Sequence, residues 1–289
     1  MDGTNGRNAR ASNGANDVGK QASYGANDVG ARAMALQLAR WAPESLAESW
    51  DNPGWMFGDP DLAVTGVLVS LDLTGAVIAQ AMRLGANLIV THHPPVFSAL
   101  RAVTADSWEG RMAGLCWQNH LCVYSAHTNF DAAPGGLCDI LAETMALRDV
   151  VPFPGPETTG LAGRGRWGLL PEPMDPQGFC RYVSERLATD PIRLIGPAPG
   201  IIRRIVVQNG AYDRDLLPAL IANRPDAVLT GDVKYHDALT LAEAGLFVVD
   251  AGHQATEQAF CGAVASHLKR HFPEVAVHVA EQVPVYRAP

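Results

Sequence analysis

At 289 residues the chain has room for about two domains, and a hydrophobic fraction of 47% is enough for sizeable cores. A net charge of −8 argues against a broad nucleic-acid surface. No apolar run approaches the ~20 uncharged residues of a membrane span, and no charged segment followed by an apolar core opens the chain as a secretory signal would.

Residues 1–30 are rich in Gly, Asn, Ala and Ser, and Gly14-Ala-Asn-Asp-Val-Gly19 recurs as Gly25-Ala-Asn-Asp-Val-Gly30. Such a tract buries too little surface to offset its ordering entropy and reads as a flexible tail. Helices are then expected over 31–41 and 44–50, a strand over 67–72, a helix over 75–84 and a strand over 86–91. A helix over 107–120, a strand over 122–126 and a helix over 136–147 follow. Pro152, Pro154 and Pro156 interrupt the pattern and mark a link. Beyond them come a strand over 167–170, a helix over 177–188, a strand over 204–208 and a helix over 213–223. Strands over 226–230 and 246–250, a helix over 254–270 and a strand over 275–279 complete the chain. Alternation of this kind implies parallel strands with helical crossovers. The five cysteines (Cys116, Cys122, Cys138, Cys180, Cys261) never form a C-x-x-C pair and read as reduced, mostly buried thiols of a cytoplasmic protein.

Metal-capable side chains gather where these strands end. His92 and His93 close the 86–91 strand. Neighbouring side chains leave a strand on opposite faces, so the two imidazoles can fork toward two points, and Pro94-Pro95 stiffens the chain after them. His127 and Asp131 follow the 122–126 strand, His236 follows the 226–230 strand, and His253 follows the 246–250 strand. Glu257 lies one helical turn beyond His253, on the same face. In open α/β sheets, ligands bind outside the carboxyl ends of strands. Imidazole with carboxylate is hard-to-borderline ligation, which fits zinc, manganese, iron or nickel, and is not a thiolate site. Taken singly, each residue has a plainer role: His253 as a packed or capping histidine, Asp131 as the start of a turn, Glu257 as a solvated helix residue. Their clustering is what favours a metal. His92, His93 and Asp131 precede the proline-rich link and His253 and Glu257 follow it. The expected architecture is therefore two α/β domains, 31–150 and 151–289, with a metal site in the cleft between them.

Five motifs resemble the Nif-three-like family, whose members are often labelled GTP cyclohydrolase I type 2 homologues. They are Trp50-Asp51-Asn52 with Gly58-Asp59-Pro60, Thr91-His92-His93-Pro94, Ala126-His127-Thr128-Asn129-Phe130-Asp131-Ala132, Leu229-Thr230-Gly231-Asp232-Val233-Lys234-Tyr235-His236, and Asp250-Ala251-Gly252-His253 with Glu257. The likeness covers about residues 36–283, without the extra domain that some longer members insert between the halves. Pro53 departs from the family's small or aliphatic residue. The resemblance implies a dinuclear site in which His93, Asp131 and Glu257 hold one ion, His92 and His253 hold the other, and Glu257 bridges. Two divalent transition-metal ions (zinc, iron or manganese) and a ring-shaped homohexamer are implied with it.

The expected activity is metal-assisted hydrolysis of a small-molecule substrate, nucleotide-like or phosphoester. His127 is the candidate proton shuttle and His236 a second, while Asp51 and Asn52 are candidates to orient substrate or water. The turn Asn209-Gly210-Ala211 could offer backbone N–H groups to a phosphate, although an ordinary strand-to-helix turn is the stronger reading. No Walker A or dinucleotide fingerprint is present. The alternative is a non-catalytic metal-binding or delivery protein, or an interaction scaffold.

Overall fold

Alternation along three apolar strands decides the first half of the molecule. The structure, a computed structural model, describes residues 29–155, 163–190, 192–281 and 285. Its first half runs α1 (Ala31–Trp41), a 3₁₀ turn (Glu44–Leu46), β1 (Gly54–Phe57), β2 (Val67–Ser70), α2 (Gly75–Leu84), β3 (Leu88–Thr91), α3 (Trp108–Gln118), β4 (Cys122–Ser125), α4 (Thr128–Ala132) and α5 (Leu137–Thr144). Strands β2, β3 and β4 pair in parallel, with Ser70 opposite Thr91 and Thr91 opposite Ser125. Val67, Val69, Leu88, Val90, Cys122 and Tyr124 face one core, with α1 against it. Leu68, Ile89 and Val123 face the other, with α2 and α3 against it. Being buried on both faces, these strands carry no polar alternation. Thr74 caps α2 by accepting from Val77 N at 3.2 Å, and Gly85, at φ +67°, ends it.

The second half runs β5 (Arg148–Phe153), β6 (Gly165–Met174), α6 (Pro176–Leu187), β7 (Arg193–Ile195), β8 (Ile202–Ala211), a 3₁₀ turn (Arg214–Leu216), α7 (Leu217–Asn223), β9 (Ala227–Gly231), α8 (Tyr235–Glu243), β10 (Val248–Asp250), α9 (His253–Glu257), α10 (Ala259–His271) and β11 (Val277–Val279). Its sheet has the order β5-β6-β8-β9-β10-β7. Ile205, Val207, Leu229 and Val249 face the core beneath α5 and α6, and Val206, Val228 and Val248 face the opposite one.

Both sheets are mixed rather than purely parallel. Each has a central parallel run (β2-β3-β4 and β8-β9-β10) with antiparallel strands beside it: β1, and β5, β6 and β7. The proline-rich link contains an edge strand, since Pro152 sits in β5, where a missing N–H costs no ladder bond. Pro156 lies outside the described residues. The end of the chain returns to the first sheet. There β11 pairs in parallel with β2, and α10 buries Phe260, Cys261, Val264, Ala265 and Leu268 in the first core. The second sheet therefore takes the chain only as far as β10, with α9 packed beside it. Of the expected tail, residues 1–28 lie outside the described residues, while Gly30 bridges Ala63 and the Val29 carbonyl accepts from Val64 N at 2.8 Å. All five cysteines are free thiols, and only Cys180 is not fully buried. Among the described residues no helix is long and apolar enough to cross a membrane.

Candidate metal centre

Parallel pairing sets the carboxyl ends of three strands in each sheet side by side, and the candidate residues leave from those ends. In the first sheet Asp72 follows β2, His92 and His93 follow β3, and His127 follows β4. In the second, Asn209 and Gly210 lie at the end of β8, Asp232 follows β9, and His253 opens α9 just past β10. Six of the seven predicted residues come together, five of them the candidate ligands and the sixth His127 beside them. His93, His253 and Glu257 bring ligand atoms within 4.8 Å of one another, as do His92, His93 and His127. Asp131 joins them, its Oδ1 standing 3.5 Å from His92 Nε2.

His92 is fully buried. Its Nδ1–H donates to the Ala126 carbonyl at 2.9 Å, which turns Nε2 toward Asp131 Oδ1 and Glu257 Oε1, each 3.5 Å away. That nitrogen has no hydrogen-bond partner. His93 donates from Nδ1 to Asp72 at 2.9 Å, and His253 from Nδ1 to Asp232 at 3.0 Å, because a carboxylate can only accept. Their Nε2 atoms then face each other at 3.1 Å, each 3.0 Å from Glu257 Oε2. Neither contact gives that buried oxygen hydrogen-bond geometry. Two imidazole lone pairs and a carboxylate oxygen aimed at one point repel unless a cation stands among them, so the donor set fits a metal ion.

The electrostatics agree. Burial would lower the His93 pKa, but Asp72 and Glu257 outweigh it and raise it to about 10. Burial likewise opposes the shifts of His92 and His253, yet carboxylate charge raises both, with Glu257 the largest contributor. Glu257 is held well below the usual range despite its burial, by His92, His253 and His93. Asp131 is pushed up by burial, with the Glu257 charge adding to it.

The nearest-atom distances group the residues differently from the family-based assignment. Glu257 Oε1 faces His92 and Asp131, and Oε2 faces His93 and His253. The cause is local: Ala126 anchors His92 toward Asp131, while Asp72 and Asp232 anchor the other two rings toward each other.

His127 borders the cluster. Its Nδ1 donates to Asp51 Oδ1 at 2.7 Å, and Asp51 Oδ2 accepts from Thr128 N at 3.1 Å and from the Thr128 hydroxyl. Burial works against ionisation of Asp51, but the His127 bond and charge, with Thr128, hold its pKa below the usual carboxylate value. Asp51 thus orients His127. Asn52 turns away, its Nδ2 donating to the Val96 carbonyl at 2.6 Å. His236 does not join: it is exposed in the first turn of α8 and belongs to neither cluster.

Three participants escaped sequence reasoning. Asp72 and Asp232 orient ligands from strand ends, a position that was itself the available signal. Asn209 had no such signal. Its Nδ2 donates to Asp131 Oδ1 at 2.8 Å and lies 3.5 Å from Glu257 Oε1, and Cys138 Sγ–H donates to its Oδ1 at 2.9 Å. The expected turn at 209–211 is strand, and Gly210 N donates to Thr256 Oγ1 at 2.9 Å, so this N–H is not open to a phosphate. Gly210 itself has φ +67°, and a Cβ there would collide with Glu257 Oε1.

The comparisons with known proteins agree with this fold. Residues 30–284 match a family described as Duf34/NIF3 (NGG1p interacting factor 3). A Streptomyces coelicolor protein named GTP cyclohydrolase 1 type 2 homolog is 34% identical over 251 residues, 83% of this chain and 87% of its own length. A Nostoc protein of the same name is 36% identical over 236 residues, 77% of this chain and 88% of its own. Among solved structures, a Staphylococcus aureus hypothetical protein shares the fold at a TM-score of 0.80 and 23% identity, over 90% of this chain and 99% of its own. A Bacillus cereus protein related to NIF3 does so at 0.78 and 21%, over 89% and 98%. With nearly all of its described length matched, and with relatives of this identity, the chain belongs to the Duf34/NIF3 family.

Proposed function

We propose that the protein is a dinuclear metal-dependent hydrolase of a nucleotide-like or phosphoester small molecule. One observation carries the reading: buried Glu257 directs its two oxygens at two separate donor pairs, His92 with Asp131 and His93 with His253. A carboxylate used this way suits two ions, and the imidazole–carboxylate set suits zinc, iron or manganese. When bound, such ions supply Lewis acidity and make water a nucleophile near neutral pH. The chain's own residues do the rest. Asp72, Asp232 and the Ala126 carbonyl hold the imidazoles in the tautomer that points Nε2 inward. His127, with Nδ1–H on Asp51, keeps Nε2 as an acceptor, able to take a proton from the attacking water and return it to the leaving group. Asp51 then stabilises the charged ring. The relatives' name, GTP cyclohydrolase 1 type 2 homolog, supports a nucleotide-like substrate.

The test combines metal analysis with turnover. Protein purified without chelator is expected to carry about two transition-metal ions per chain. The metal-loaded protein is then screened against nucleotides, phosphoesters and cyclic amides. His127→Gln is expected to retain metal and lose about 10²–10⁴-fold in turnover. Unchanged turnover would remove His127 as proton carrier. Full metal with no turnover across the screen would favour the delivery or scaffold alternative.

A further inference from the structure

An aromatic pair beside His127 takes no part in the reading above. Trp50 lies in the loop before β1 and Phe97 in the loop after His93-Pro94-Pro95. Their rings stack at 5.5 Å with 29° between planes. Each meets the His127 ring edge to face, at 6.1 Å for Trp50 and 5.8 Å for Phe97. His127 in turn stands 5.2 Å from the His92 ring and 5.5 Å from that of His93. One imidazole therefore separates the aromatic pair from the metal-capable cluster.

The pair shields His127 but is not itself covered: Trp50 is 55% exposed and Phe97 50%. It is also held in place from several directions. Asn52 ties the two loops together through the Val96 carbonyl at 2.6 Å, and its N–H donates to Asp51 at 2.7 Å. The single segment Trp50-Asp51-Asn52 thus carries a ring, orients His127 and clamps the Phe97 loop. Two adjacent prolines limit the other loop. Rings fixed in advance accept a third ring with little further ordering cost.

We infer that Trp50 and Phe97 form a stacking subsite for a planar heteroaromatic ring of the substrate, with the group to be hydrolysed reaching past His127 to the cluster. The inference rests on the hydrolase reading and adds the substrate class: a ring joined through a short linker to the reacting group, rather than a bare sugar phosphate. A π-face recognises any base, so the subsite selects for a ring and not for one particular base.

The experiment uses the full chain loaded with zinc, and binding rather than activity as readout. Calorimetry compares the four common ribonucleoside 5′-monophosphates with ribose 5-phosphate, which shares their sugar and phosphate and lacks the ring. At least one nucleotide is expected to bind about 10- to 100-fold tighter than ribose 5-phosphate, the scale of one base–aromatic stack. Trp50→Ala should abolish that ratio, Phe97→Leu should reduce it, and Trp50→Phe should keep most of it. Metal content and sedimentation of each variant guard against loss of fold. Equal binding of all five probes to the wild type, or a ratio that survives both Trp50→Ala and Phe97→Leu, would overturn the subsite. So would a change of oligomeric state in these variants, which would make the pair a subunit contact. Failure of the hydrolase reading looks different: metal-loaded protein with no turnover, whatever its preference for a ring.

Discussion

Gly210 is the residue on which the cluster's geometry turns, although it offers no side chain. Its φ of +67° costs an L-residue about 1–2 kcal/mol, and any Cβ would drive Glu257 Oε1 from its place between His92 and Asp131. Gly210→Ala is expected to drop metal content below one ion per chain by elemental analysis while the far-ultraviolet circular dichroism is kept. Full occupancy would mean that Glu257 does not hold both ions. Asn209 acts from the neighbouring position. Asn209→Ala leaves Asp131 without its amide donor and Cys138 without its acceptor, a cost of about 1–3 kcal/mol in urea unfolding. Metal affinity, measured by competition with a chromophoric chelator, should fall about 10–100-fold. The five ligand candidates were legible because His92, His93 and His253 follow strand ends and the carboxylates of Asp131 and Glu257 lie in the short helices that come next. Asn209 was not, because an amide inside a strand carries no sequence mark of the carboxylates that another part of the chain brings to it.

Among the elements, the joint between α5 and β6 has the clearest pH signature. Arg166, buried in β6, donates to Asp139 in the first turn of α5, and Asp139 also accepts from Gly135 N at 2.7 Å. Burial would raise the Asp139 pKa, but Arg166 and the Gly135 N–H outweigh it and hold it below its ordinary value. A depressed carboxylate stabilises the fold fully above its unfolded pKa of about 3.9 and loses that contribution as pH falls through the folded value. Urea midpoints measured from pH 7 down to pH 3 should therefore fall more steeply in the wild type than in Asp139→Asn. The variant should lose about 1–2 kcal/mol at pH 7, discounted for partial exposure. Parallel slopes would show that the joint adds nothing to acid stability. Central strands were legible as apolar runs, and so was the edge strand β11. The other edge strands, β1, β5 and β7, were not: β5 is exposed at all but its last residue, and only hydrogen bonding to β6 makes it a strand.

For the whole molecule, the donors come from both sheets, so a bound metal would tie them together. Reloading chelator-treated protein should raise the unfolding temperature in a single cooperative step, by an amount equal to about 2.7 kcal/mol at a free-metal concentration of 100 Kd. A calorimetric trace unmoved by zinc, iron and manganese would count against ligation across the two sheets. The ring-shaped homohexamer implied by the family resemblance stands as a proposal. Sedimentation equilibrium checks it, with a hexamer mass expected and a monomer mass overturning it.

Chain order and residue type alone determined the α/β class, the buried parallel strands and the ligand candidates at their ends, because apolar runs and their punctuation are local properties. Tertiary structure decided everything that depends on one segment meeting another distant in sequence. It returned α10 and β11 to the first sheet, where the buried face of α10 and the free edge of β2 are satisfied together. It grouped the donors around Glu257 through second partners that the sequence could not pair with them. It left His236 in solvent, because the first turn of α8 exposes that side chain.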